Sequence, residues 1–283
     1  MQHYSHLDSL VETQWILAHL NDPSVRIVEA DMNPEACKNA HIPGAVFWNI
    51  QSDLMTSDMR MNLDDEALSA LLSKSGISPE TAVVAYGSHL ATSASIFWRL
   101  KRLGHDKVYV LNGGHQKWMA ENCPTTLALS SFEPAEYSVG HVASAARDRN
   151  YRIPTAEVKT LLNRTDTVIL DVRTFAEYSG EIFMTKPPEN DERAGHIPGA
   201  IHFEHTLVLD EKGTFKSAEV LHRLFAQQGI TQDKRIILYC AVGARSGFVW
   251  YVLKYLLGYS NVQNYDGSWL EWSRLSDAPI ELS

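Results

Sequence analysis

The sequence predicts an α/β protein of two tandem domains, each a mostly parallel sheet with helices on both faces. Short apolar runs rich in β-branched residues alternate with amphipathic stretches of helical length. Three segments also recur in the same order at nearly one offset. They are HIPGAVF at His41 and HIPGAIH at His196, VVAYG at Val83 and IILYC at Ile236, and two longer stretches ending at Trp118 and Trp272. Matches in register identify a duplicated unit. Finally, 283 residues at 45% hydrophobic and 21% charged suffice for two domains of ordinary soluble composition.

Taken in order, RIVEA (26–30) reads as a buried strand and DDEALSALLSKSGI (64–77) as a helix closed by a glycine. The run Val83 to Tyr86 is the next strand. From 121 to 150 the apolar period fades, and SSFEPAEYSVGHVAS carries the Ser, Gly and Pro of a connection. The expected division is therefore a first domain over 1–125, a linker over 126–150 and a second domain over 151–283. Pro154 to Val158 looks like a helix start with Thr155 as N-cap. TVILDV (167–172) is a strand, SAEVLHRLFAQQGI (217–230) a helix, and Ile236 to Tyr239 a strand. The second unit carries extra material over 180–194, GEIFMTKPPENDERA, expected to be a surface loop and a candidate substrate-side element.

A formal net charge of -9 argues against a general nucleic-acid binder. No stretch reaches the length of an apolar membrane span, and the opening lacks the pattern of a signal peptide. The three cysteines, Cys37, Cys123 and Cys240, are distant and odd in number, which disfavours a disulfide framework or structural zinc. A reducing cytoplasm is expected.

Cys240 directly follows the strand Ile236 to Tyr239, and ligands of open parallel sheets bind beyond the carboxyl ends of the strands. The loop Ala241, Val242, Gly243, Ala244, Arg245 leads into a helix expected to begin near Ser246. A thiolate placed there faces backbone N–H groups and the positive end of a helix dipole, and both stabilise the anion. Gly243 lets those N–H groups converge, and Arg245 adds a permanent charge with a planar fork for an oxyanion. A lone cysteine is more often a small buried residue, a reading that fits Cys37 and Cys123. At Cys240 the strand end, the glycine and the arginine together outweigh it. In the first unit Gly87 stands where the cysteine would be, followed by SHLATSAS, so a single nucleophile is expected.

Two copies of HIPGA, each preceded by a strand ending in an acid (Glu29, Asp171), with a C-x-x-G-x-R loop in the second copy only, resemble the rhodanese superfamily. More narrowly they are similar to its tandem-domain sulfurtransferases, which use thiosulfate or 3-mercaptopyruvate. The resemblance implies that Cys240 takes sulfur from a small anionic donor as a persulfide. It then passes that sulfur to a thiophilic acceptor, whether cyanide, a thiol or a dithiol protein. It implies no metal or organic cofactor. Ala241, Val242, Gly243, Ala244 and Ser246 would line the cradle, and Arg245 would grip the donor's anionic end. Arg173 and Arg193 are further donor-binding candidates. Asp171, His41 and His196 read as structural, and Trp118 and Trp272 as packing. Arg245 followed by Ser246 looks like the loop of some bacterial rhodaneses, which favours thiosulfate over mercaptopyruvate.

Two other classes compete. Related phosphatases carry C-x5-R, one residue longer than the C-x4-R here, so this loop is too tight for a tetrahedral phosphate. A non-catalytic binding module fits the first unit alone, but not a chain that carries Cys240.

Overall fold

The computed structural model describes residues 4–128, 130–137 and 150–282, apart from the side chains of Pro34 and Cys37. The Cys37 thiol and the part of the expected connection over 138–149 lie outside the described residues. Two compact units are interleaved in sequence. One is formed by His6–Arg149 with Asp210–Phe215, the other by Met1–Ser5, Asn150–Leu209 and Lys216–Ser283.

The first unit holds five strands: β1 (Leu10–Val11), β2 (Val25–Asp31), β3 (Val46–Asn49), β4 (Ala82–Tyr86) and β5 (Val108–Leu111). They lie in the order β1-β5-β4-β2-β3, every neighbouring pair parallel. Val83, Val84, Ala85 and Tyr86 are fully buried, which explains why β4 reads as a continuous apolar run rather than an alternating one. The helix Asp65–Lys74 starts at Asp64, whose carboxylate accepts from the N–H groups of Glu66 and Ala67. It ends just before Gly76, which takes the left-handed conformation (φ 67°) that a side chain disfavours. Of the expected linker, residues 126–128 and 130–137 lie on this unit. Thr126 pairs with His41, the Arg26 guanidinium sits 3.3 Å from the centre of the Phe132 ring, and Ala135 N–H donates to Ser73. Phe215 N–H from the Asp210–Phe215 turn donates to Asn112.

The second unit holds β6 (Thr167–Asp171), β7 (Ile201–His202), β8 (Arg235–Tyr239) and β9 (Val262–Asn264), in the order β7-β6-β8-β9 and again all parallel. Tyr4 and Ser5 belong here through hydrogen bonds to the carbonyls of Lys216 and Leu256. The helix Ala218–Gln227 is capped by Ser217 and followed by Gly229 at φ 71°. Thr155 is not an N-cap. It is the first residue of the helix Thr155–Thr160, and its hydroxyl is engaged by Tyr265 and Glu271, leaving Pro154 at the cap.

The duplication is visible in atoms as well as letters. Glu29 faces Tyr86 across β2 and β4, and Asp171 faces Tyr239 across β6 and β8. Each tyrosine hydroxyl accepts the N–H of the isoleucine in its HIPGA segment, Ile42 or Ile197, at 3.1 Å. Trp118 and Trp272 each donate an indole N–H to a proline carbonyl, of Pro124 and Pro279, at 2.9 Å. His41 and His196 are both buried and bonded to main-chain carbonyls, of Asn39 and Ala128 in one case and Tyr178 in the other.

The copies diverge at the position of Cys240. A β-carbon on Gly87 would fall 2.2 Å from the carbonyl oxygen of Ala30, a backbone atom held in β2. Ser93, the counterpart of Ser246, is fully buried, and its hydroxyl has no partner among the described residues. We expect Gly87→Cys to destabilise the chain by roughly 1–3 kcal/mol or more in urea unfolding, the scale of an overpacked core. A Gly87→Cys chain as stable as the parent contradicts the steric reading.

Candidate active site

Cys240 follows β8 with its side chain almost wholly buried (1% exposed). The chain turns at Gly243 (φ 91°) and the next helix runs Ala244–Tyr251, two residues earlier than the sequence suggested. The left-handed glycine folds the loop so tightly that Arg245 lies in the first helical turn rather than in the loop. The sulfur is met by two donors, Gly243 N–H at 3.1 Å and the Ser246 hydroxyl at 3.6 Å. The first N–H groups of an α-helix have no intrahelical acceptor, so this end of the helix carries partial positive charge toward the thiol.

The loop is held from behind by the chain between Asn264 and Leu270. Trp269 N–H donates to Cys240 C=O at 2.9 Å, Leu270 N–H to Ala241 C=O at 3.0 Å, and the Asn264 side chain to Gly243 C=O at 3.1 Å. Cys240 N–H donates to the Ser268 hydroxyl at 3.0 Å, which itself donates to Tyr265 C=O at 2.8 Å. Ser268 adopts φ 53°, a left-handed conformation costly for a residue other than glycine, and is fully buried.

The arginines stand otherwise than the sequence suggested. Arg173 is 1% exposed. It grips Asp171 through Nε and a terminal nitrogen, the shortest contact at 2.6 Å, donates to Gly195 C=O at 2.7 Å, and lies 4.6 Å from the Trp269 ring centre. Its hydrogen-bond partners are therefore Asp171 and the Gly195 carbonyl. Arg193 donates to the carbonyls of Leu275 and Ala278 and so ties the 180–194 insertion to the C-terminal segment. Asp171, which also accepts the Arg173 N–H, fixes the start of the loop after β6.

Arg245 lies in the first turn of the helix that follows the Cys240 loop, and its two terminal nitrogens both donate to Glu177, at 2.7 Å each. Burial pushes the Glu177 carboxyl up, and the Arg245 pair together with Thr174 outweighs this, so the net shift is downward. Sequence reading missed Glu177. A signal was present in Thr174-Phe175-Ala176-Glu177, the spacing of a capping box, which the structure forms at the helix Phe175–Ser179. His205 is also near. Its Nδ1 donates to Val172 C=O, and burial together with the Arg245 charge lowers its pKa to about 4.

Comparison with known proteins places this geometry. Residues 12–121 and 154–275 each match the rhodanese-like domain. The chain is 40% identical over 280 residues to the sulfur carrier protein TtuD of Thermus thermophilus, covering 98% of both chains. It is 36% identical over 284 residues to a thiosulfate sulfurtransferase of Corynebacterium glutamicum, covering 99% of this chain and 92% of that one. Among solved structures it superposes on wild-type EanB with a TM-score of 0.87 at 23% identity, covering 100% of this chain and 71% of that one. YnjE gives 0.86 at 24% identity, with coverage of 100% and 70%. At such identities these two structures speak for the fold alone.

Two outcomes are expected. Ser268→Ala leaves the buried Cys240 N–H without an acceptor and lowers stability by roughly 1–3 kcal/mol in urea unfolding, whereas Ser268→Gly, relieved of the left-handed strain, loses less. His205 titrates in the unfolded chain near 6.5 and in the folded chain near 4. Its contribution to stability is whole above pH 6.5, erodes as the pH falls, and is gone once the pH has passed about 4. Unfolding followed between those limits is expected to show a shallower pH slope for His205→Gln, and an unchanged slope contradicts the assignment.

Proposed function

The chain belongs to the rhodanese-like family and is a sulfurtransferase, and we propose that it moves a sulfane sulfur from thiosulfate to a thiophilic acceptor through a persulfide on Cys240. The observation that carries this reading is the pair of donors on the Cys240 sulfur, Gly243 N–H and Ser246 Oγ–H, at the N-terminal end of the helix Ala244–Tyr251. Neutral donors fixed by the fold hold an anionic sulfur without reorganising when charge arrives.

The Cys240 thiolate attacks the outer sulfur of thiosulfate. The new S–S bond forms as the S–S bond of the donor breaks, and the electron pair leaves with sulfite. The persulfide anion extends the same charge by one sulfur, still within the N–H groups of the loop. Cyanide, a thiol or a dithiol protein then attacks the outer sulfur, and the electron pair of the breaking bond returns to Cys240 as thiolate. With cyanide the product is thiocyanate, and no net oxidation or reduction of the enzyme occurs. Two half-reactions through one covalent intermediate constitute a ping-pong mechanism.

Support for thiosulfate over mercaptopyruvate comes from the name of the Corynebacterium relative and from Arg245-Ser246 in the loop. The name of the Thermus relative favours a protein acceptor. Among the described residues no helix is long and apolar enough to cross a membrane. The free thiols of Cys123 and Cys240 favour a reducing cytoplasm.

The test is intact mass after brief exposure to thiosulfate. We expect a gain of about 32 Da, one sulfur atom, that cyanide removes and that Cys240→Ser abolishes. Loading by mercaptopyruvate alone overturns the choice of donor, and loading of the serine variant overturns the nucleophile.

A further inference from the structure

The counter-charge of Arg245 is built with care that a simple surface pair does not need. Glu177 is 2% exposed, and each of its oxygens takes one terminal nitrogen of Arg245. One of those oxygens also accepts from the N–H and the hydroxyl of Thr174, both at 3.0 Å. The carboxylate is thus fixed from two sides, and it fixes the guanidinium by a bidentate contact, the most directional form of ion pair. Arg245 nevertheless stands in the first turn of the helix beside Ser246, whose hydroxyl donates to the Cys240 sulfur. The other charged or titratable groups facing this point are His205, neutral down to about pH 4, and Arg173, itself matched by Asp171.

Resting on the persulfide reading above, we infer that Glu177 is a positioning residue for sulfur transfer, which holds the Arg245 charge off the sulfur so that the persulfide is cradled by neutral N–H groups and is released to the acceptor. An unmatched guanidinium tethered in the same helical turn would close on the outer sulfur. It would attract the dianionic donor and stabilise the loaded intermediate, and stabilising an intermediate raises the barrier to its discharge. Glu177 therefore sets the balance between the two half-reactions rather than taking part in either.

The experiment measures the two half-reactions separately in the full chain, loading by thiosulfate from intact mass and discharge by cyanide from thiocyanate released in a single turnover. Glu177→Gln is expected to load at least as fast as the parent and to discharge about tenfold more slowly, the scale of one charge-assisted hydrogen bond. In an Arg245→Gln chain the same Glu177 substitution is expected to leave discharge unchanged, because the group it restrains is gone. Equal slowing of loading and discharge, or slowing that persists without Arg245, overturns the inference and leaves Glu177 as a helix cap. If Glu177→Gln alone does not fold, Glu177→Asp takes its place: the shortened carboxylate is expected to slow discharge and spare loading, and equal slowing of both overturns the inference. A parent chain that takes up no sulfur overturns the persulfide reading itself, whatever the variants do.

Discussion

The carbonyl oxygens of Cys240, Ala241 and Gly243 are all turned away from the sulfur and bonded to the chain between Asn264 and Leu270. A peptide unit is planar, so fixing its carbonyl fixes the opposite direction of its N–H. The segment after β9 thereby fixes the directions of the Ala241, Val242 and Ala244 N–H groups, on either side of the Gly243 N–H that donates to the sulfur. Because β8 and β9 are neighbours in the sheet, the strand that delivers the cysteine and the strand that delivers the brace arrive together. The left-handed Ser268 belongs to the same device, since its hydroxyl engages the one Cys240 backbone donor that points backward.

Two ion pairs flank this loop, Arg173 with Asp171, buried on both sides, and Arg245 with Glu177, in which the carboxylate is buried and the guanidinium half-buried. Removing such charges from water is unfavourable unless geometry and further hydrogen bonds compensate. Both pairs meet that condition. The carboxylates take main-chain N–H groups of Arg173 and Thr174, and Arg173 adds the Gly195 carbonyl and an aromatic face. Their value lies in orientation. Asp171 and Arg173 occupy the end of β6, Glu177 the helix that follows, and Trp269 links the first pair to the brace behind Cys240.

Much of this was legible in the sequence. Strands, helices and duplication were readable because each rests on local pattern, and the core strands β4 and β8 are buried on both faces as their apolar runs imply. Cys240 was readable because its strand, glycine and helix are contiguous. The arginines were not, because their partners are set by the fold: Glu177 stands 68 residues before Arg245, and the carbonyls bound by Arg193 lie some 80 residues after it. Type and spacing reveal that a guanidinium is near the site, but not whether its donors are already taken. The stretch over 126–137 misled for another reason. Its Ser and Pro content looks like a connection, yet Phe132 and Tyr137 make side-chain contacts, with Arg26 and His105, that no periodic pattern announces.

The close approach of Ala30 to Gly87 bears on the history of the molecule as well as its shape. After a duplication both copies start with the same equipment, and the spare is ordinarily recoverable by reverting whatever residue was lost. At Gly87 the space that a side chain needs is taken by main chain, which no single codon can withdraw. The way back requires a strand to shift before a side chain can return, so the division of labour between the halves has become a one-way step.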